Sequence, residues 1–382
     1  MPHLKEFAPL PPIEKEAEKM ASKLLDSLTK PQGSLGALEA TFIRLAGITG
    51  RVPRAIRRKL ILVFAADHGV AKHRVSAYPQ RVTSQMIRNF DCGGAAINVF
   101  SRLCGAELLV TDVGVVRPPG NTNNISSKRI RAGTSDFTVG PALKKSEVWK
   151  AILVGMKTLS ERMSRDLDVV AVGEMGISNT TSAAALTSVF CQASPRDVTG
   201  PGTGLSPSGL RRKISVIEKA IEANGVNLTD PVSILAGIGG LEICALAGVM
   251  IQAAQHRIPI LLDGFITGAA ALAADALLPG TRNFMIAGHV SPEPGHSIQL
   301  EALGLVPLLR LGLRLGEGTG AALAIPLLEA ICAAGSSMAT FETARVAQKS
   351  CPPENGGLKI LEARCNSKVA QFRPEDLDMR RA

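Results

Sequence analysis

The sequence predicts an α/β layered fold built on a mostly parallel sheet. Three observations carry that reading. From about residue 59 onward, short β-branched runs bounded by Gly or Asp alternate with longer Ala-rich stretches, the pattern of strand-then-helix units. Each short run ends in a polar or glycine-rich turn, where α/β folds place their ligands. The Ala- and Leu-rich stretches have high helix propensity and a broad apolar face, so they are able to sandwich a sheet.

Taken in order, residues 13–28 read as a charged amphipathic helix, followed by a turn at 30–36 and a second helix from Ala37; together they suggest a small helical cap. Strands are predicted at 59–65, 107–113, 168–172, 258–262 and 283–287, each too short for a helix. Helices are predicted at 181–192, 210–223, 241–255 and 267–276, and the pattern returns to helix over 303–338, either closing the core or joining the cap. Residues from 352 carry Pro-Pro, Gly-Gly and mixed charge with few apolar positions, as expected of a loosely attached tail.

Composition narrows the class. A chain of 382 residues with 46% hydrophobic content is able to bury a large core. The net charge of +10 would suit nucleic acid, acidic lipid or a phosphorylated small molecule. Aromatics are only 3%, too few to interleave with basic residues for base stacking, which favours small anionic substrates over nucleic acid. The seven cysteines are widely spaced with no C-x-x-C, as expected of reduced thiols in the cytoplasm. No secretory h-region opens the chain, and the apolar runs at 241–254 and 321–334 are broken by Glu242, Pro326 and Glu329, so no membrane attachment is expected.

The densest motif is VAVGEMGISNTTSAAA, residues 170–185, where a buried strand runs into a turn and an Ala-rich helix. Free N–H groups at such a helix start, with the side chains of Ser178, Asn179, Thr180 and Thr181, suit a phosphate; the same residue types also serve as plain N-caps. Glu174 in that turn would repel a phosphate unless it faces a sugar or base, where it could steady positive charge at C1 of a ribose; otherwise it is a surface Glu favoured by the helix dipole. The turn Gly200-Pro201-Gly202-Thr203-Gly204, followed by Arg211-Arg212-Lys213, is either an anion loop with Lys213 as its point charge or a structural loop. It is not a dinucleotide fingerprint, since Leu205 stands where the third glycine would be.

In Gly316-Glu317-Gly318-Thr319-Gly320 an acidic residue is held between glycines, an arrangement that exposes Glu317 to a cavity. Next to Leu313 and Leu315 its pKa would be drawn up toward the range of a general base; the alternative is a helix-start Glu in a turn. Asp263-Gly264 follows a predicted strand and has the placement of a carboxylate that contacts ribose hydroxyls. His68, His289, Glu293 and His296 sit in turns after predicted strands; Pro292 and Pro294 rule out one helical ligand face, and structural roles are preferred to metal binding. Tyr78 and Met86 could line a flat apolar heterocycle's pocket or simply pack.

In sequence order, KPQGSLG (30–36), FAADHGV (64–70), SAYPQRVTSQM (76–86), GGAAINV (93–99), VGEMGISNTT, GPGTGL, GGLE (239–242), LLDGFITGAAAL, EPGH (293–296) and LGLRLGEGTGAALA resemble the nicotinate-nucleotide:dimethylbenzimidazole phosphoribosyltransferases of cobamide nucleotide-loop assembly. The resemblance spans about residues 30–345. It implies a Rossmann-like catalytic domain over 51–330 and a small helical domain formed from both chain ends (1–50 and 331–351), with 352–382 as a tail. It implies a homodimer, no metal and no organic cofactor. It implies transfer of ribose phosphate from nicotinate mononucleotide to 5,6-dimethylbenzimidazole or a related base, giving α-ribazole 5′-phosphate and nicotinate. Glu317 then matches the proton acceptor and Glu174 the acidic residue near ribose and base. The Gly176–Thr181 turn, Gly202, Thr203, Gly204 and Lys213 match phosphate-holding segments, and Tyr78, Met86, Met175 and Leu315 match positions around the incoming base. A non-catalytic nucleotide- or base-binding protein of the same fold is the competing reading, and two acidic groups beside an anionic ligand argue against it.

Overall fold

The computed structural model describes residues 7–163, 166–225 and 230–347. Helices α1 (Lys15–Ser27) and α2 (Ala37–Thr49) lead into strand β1 (Arg58–Ala66), then α3 (Val82–Asp91), α4 (Ala96–Leu103), β2 (Glu107–Gly114), β3 (Ile125–Ser127) and α5 (Lys145–Arg162). Strand β4 (Leu167–Met175) follows, then α6 (Asn179–Phe190), α7 (Pro195–Val198), α8 (Pro207–Asn224), α9 (Pro231–Ile238) and α10 (Leu241–Gln255). The chain closes with β5 (Ile260–Leu262), α11 (Phe265–Leu277), β6 (Met285–Ala287), α12 (Pro294–Leu303), α13 (Thr319–Ser337) and α14 (Phe341–Ala344).

Among the described residues all six strands are parallel, in the order β3-β2-β1-β4-β5-β6. A parallel sheet is covered on both faces, which is why its strands read as continuous apolar runs. Alternation along β1 divides the interior in two. Leu60, Leu62 and Phe64 join Val170 and Val172 of β4 under α5 and α10, while Ile61 and Val63 join Val169 and Ala171 under α2 and α13. Helices α5 and α10 approach closely because Gly155 and Gly248 face each other's backbone: a Cβ at Gly155 would lie 1.8 Å from the Ala245 carbonyl.

Strand order reverses between β1 and β4, since the chain first builds outward from β1 through β2 and β3 and then returns to β1's other side. Two turns leaving that reversal point in opposite directions open a crevice at the carboxyl ends of the strands. The ADHG segment after β1 and the GEMGISN segment after β4 lie there.

Each predicted strand and helix is present within a few residues except over 303–338, and the structure adds β3 and the helices α3, α4, α5, α7, α9, α12 and α14, which the sequence reading did not mark. Strand β3 has three residues, too few to show a pattern. Over 303–338 only Thr319–Ser337 is helical as α13; residues 304–318 are turn and loop because Gly304, Pro307, Gly312 and Gly316 interrupt the leucines. Helix α13 is apolar and long enough to cross a bilayer by length and composition, but it packs against α2, α4 and β4. The tail assigned from residue 352 lies outside the described residues.

Candidate active site

At the switch point a cavity of about 400 Å³ is walled by the β4–α6 turn, the Gly202–Thr203 turn, the ends of β5 and β6 and the loop before α13. Of the predicted site residues, Glu174, Met175, Gly176, Asn179, Thr180, Gly202, Thr203, Asp263, Gly264, Tyr78, Met86, Leu315 and Glu317 line it. Four do not. Ser178 and Thr181 turn into the protein, with hydroxyls that find no partner among the described residues. Gly204 lies past the part of its turn that reaches the cavity. Lys213 is buried behind Thr180 and Gly202, 3.0 Å from the Thr180 hydroxyl and 3.1 Å from the Gly200 carbonyl. Burial lowers its pKa to about 8, with Glu293 acting in the opposite direction.

The side chains at the start of α6 do not serve as its caps. Ser178, the N-cap, makes no side-chain cap bond. Asn179 donates its amide to the Glu174 carboxylate, and Thr180 accepts from Lys213. The turn itself is strained, with Ser178 at φ 80°, a left-handed conformation costly for a residue with a Cβ.

Glu317 is likewise in the left-handed region, at φ 63° between two glycines that also have positive φ. Two contacts hold it there. The Asp263 carboxylate, at the end of β5, accepts the N–H groups of Gly318 (3.1 Å), Gly320 (2.7 Å) and Ala321 (3.2 Å), and so caps α13. Gly173 in β4 lies directly beneath the loop: a Cβ there would sit 2.5 Å from the Glu317 carbonyl carbon. The Glu317 side chain is 4% exposed and meets the first turn of α4, where the Ile97 N–H donates to Oε2 at 3.4 Å. Burial raises its pKa, the Ile97 contact opposes this, and the Asp263 charge adds to it.

Glu174 is pushed up to about 8, first by burial and then, against the Asn179 hydrogen bond, by the charges of Asp263, Glu242 and Glu317. Asp263, expected to contact ribose hydroxyls, has both oxygens engaged by the α13 backbone, and His289 Nε2 stands 3.3 Å from one of them.

Several lining residues were not singled out from the sequence as site residues. Glu293 accepts the Gly202 N–H at 2.8 Å and fixes the second turn; Ser291 and His289 stand beside it in the cavity wall. His296 accepts the Ser291 N–H at 2.8 Å, and burial, then the neighbouring His289, lower its pKa to about 3, so it is neutral. Pro294 does not break a helix here; it starts one, α12, at its first position. Val82, Ile177, Phe265, Ile266, Leu313, Arg314 and Gly316 complete the lining. All lie within the motifs quoted above, although none was assigned a role there.

Glu174 and Glu317, both with carboxyls raised by burial, share one sheltered crevice with the β4–α6 turn and the Gly202–Thr203 turn. The family model described as Phosphoribosyltransferase matches residues 10–346. The chain belongs to that family. It is 49% identical over 337 residues to the nicotinate-nucleotide–dimethylbenzimidazole phosphoribosyltransferase of Desulforudis audaxviator, covering 88% of this chain and 96% of that one. It is 46% identical to the protein of the same name from Chloroflexus aggregans, over 88% of this chain and 96% of that one. The crystal structure of the Thermus thermophilus enzyme of that name superposes with a TM-score of 0.83 at 42% identity, covering 88% of this chain and 100% of that one.

Proposed function

We propose that the protein transfers the ribose phosphate of nicotinate mononucleotide to 5,6-dimethylbenzimidazole or a related base, giving α-ribazole 5′-phosphate and nicotinate for the nucleotide loop of cobalamin. The observation that carries this reading is the pairing of Glu317 with an anion-suited turn in one cavity. The donor's phosphate sits at the Gly176–Thr180 turn and the Gly202–Thr203 turn, with Lys213 supplying charge from behind. Its ribose lies over Glu174.

The unprotonated nitrogen of the base attacks C1 of the ribose from the face opposite the pyridinium. The C1–N bond breaks with its electron pair going to the nicotinate nitrogen, so a β linkage becomes α. Glu317 takes the proton from the other ring nitrogen of the base. Because the departing ring is already cationic, the enzyme's task is to orient two rings and steady an oxocarbenium-like carbon. The donor's positive ring lowers the pKa of Glu174, whose proton is released to solvent, leaving a carboxylate beside C1. Asp263, with its oxygens occupied, positions the Glu317 loop.

Met86, Met175, Val82 and Leu315 give the flat base an apolar bed. Tyr78 and Leu315 are more than half exposed at the mouth; we assign that face to a second copy in a homodimer, in the cytoplasm. Incubating the protein with nicotinate mononucleotide and dimethylbenzimidazole is expected to release nicotinate only when both are present. Tight binding of either compound without release would favour a non-catalytic binder.

A further inference from the structure

Directly behind the β4–α6 turn lies a second buried polar cluster that the reaction as described does not use. His68 Nε2, after β1, stands 2.5 Å from Glu242 Oε1, in the first turn of α10, and both side chains are fully buried. His68 Nδ1, Glu242 Oε2 and Asp67 Oδ1 have no hydrogen-bond partner among the described residues. Burying an ion-pairing couple is costly compared with an apolar pair of the same volume, so its presence calls for a role beyond packing.

The neighbourhood indicates that role. A Cβ at Gly176 would lie 3.1 Å from Glu242 Oε1, so the carboxylate touches the middle of the turn assigned to the donor. A Cβ at Gly240 would lie 2.5 Å from His68 Cε1 and 2.9 Å from Glu242 Oε2, so glycine is needed there to admit the pair. The same loops are tied at two further points: Ile177 donates its N–H to Thr83 at 3.1 Å, and Gln80 donates to the His68 carbonyl at 3.0 Å.

We propose that the His68–Glu242 pair is a positioning element of the transfer site, in which the Glu242 carboxylate both buttresses Gly176 and places a fixed negative charge behind Glu174. This rests on the assignment of Glu174 to the donor's ribose and ring. The groups facing Glu174 are Asp263 from the end of β5, Glu317 from the loop before α13, and Glu242 from α10. Those facing Glu242 are His68, Asp67 and, on its own helix, Cys244.

Charge and contact are separable by two substitutions. Donor affinity is measured against pH by calorimetry with the base omitted. Because the cationic ring displaces the Glu174 proton, affinity in the wild type climbs with pH toward about 8, the value for free Glu174. Glu242→Gln keeps the shape and removes the charge; the climb is expected to shift to lower pH by roughly half a unit to one unit, with affinity at its plateau within about twofold of wild type. Glu242→Asp keeps the charge and withdraws it from Gly176; the climb is expected to stay in place while affinity falls several-fold at every pH. A pH dependence unmoved in Glu242→Gln, or an affinity unchanged in Glu242→Asp, overturns the proposal. Should Glu242→Gln not fold, the Asp variant decides it. Glu174→Gln is the control: it is expected to abolish the climb, and a climb that persists there contradicts the reading of Glu174 instead.

Discussion

Three residues at or just behind this site are kept in conformations or protonation states that an ordinary loop would relax. Glu317 and Ser178 both have positive φ at the cavity or just behind it, and each such residue costs of order 1 kcal/mol. Glu174 shows the electrostatic counterpart. Its folded-state pKa of about 8 lies above the unconstrained 4.5, so between those values the folded protein holds a proton that the unfolded chain has lost. Glu174 therefore supports folding at low pH, and that support is lost as pH rises toward 8. Glu174→Gln, which carries no charge to bury, is expected to raise the melting temperature relative to wild type by an amount that grows from pH 5 to pH 8.5. A difference independent of pH would show that Glu174 is not held protonated.

At the level of elements, the decisive contact is between β4 and the loop before α13. Gly173 is the point at which the strand lets the Glu317 backbone approach. Gly173→Ala is expected to destabilise the fold by about 1–3 kcal/mol, the usual range for overpacking, and to lower kcat at least tenfold by displacing Glu317. Chemical denaturation and steady-state kinetics together check both effects. The sequence disclosed the strands here because parallel strands buried on both faces are runs of Val, Ile and Leu, and it disclosed Glu317 because two flanking glycines are unusual around an acid. It could not disclose Glu293 as a holder of Gly202, or Asp263 as the cap of α13. Those bonds join residues 91 and up to 58 positions apart, and nothing local marks them. Leucines at 303, 305, 308, 309, 311, 313 and 315 imitate a helix, and the glycines and proline among them prevail.

Across the whole molecule, strand order places the site. With β1 and β4 adjacent at the reversal, segments from residues 78 to 317 converge on one crevice although they are spread over most of the chain. The exposed apolar side chains Tyr78, Leu311 and Leu315 at or beside its mouth are the surface assigned to a second copy. Sedimentation or light scattering is expected to give twice the 40.1 kDa chain mass; a monomer at micromolar concentration would refute that assignment.

If Glu317 accepts the proton of the incoming base, Glu317→Gln turns over with a kcat lower by ~10²–10⁴-fold, the range typical of losing a general base, while donor affinity stays within about twofold of wild type. A variant that binds the donor and turns over at a near-normal rate would contradict that role.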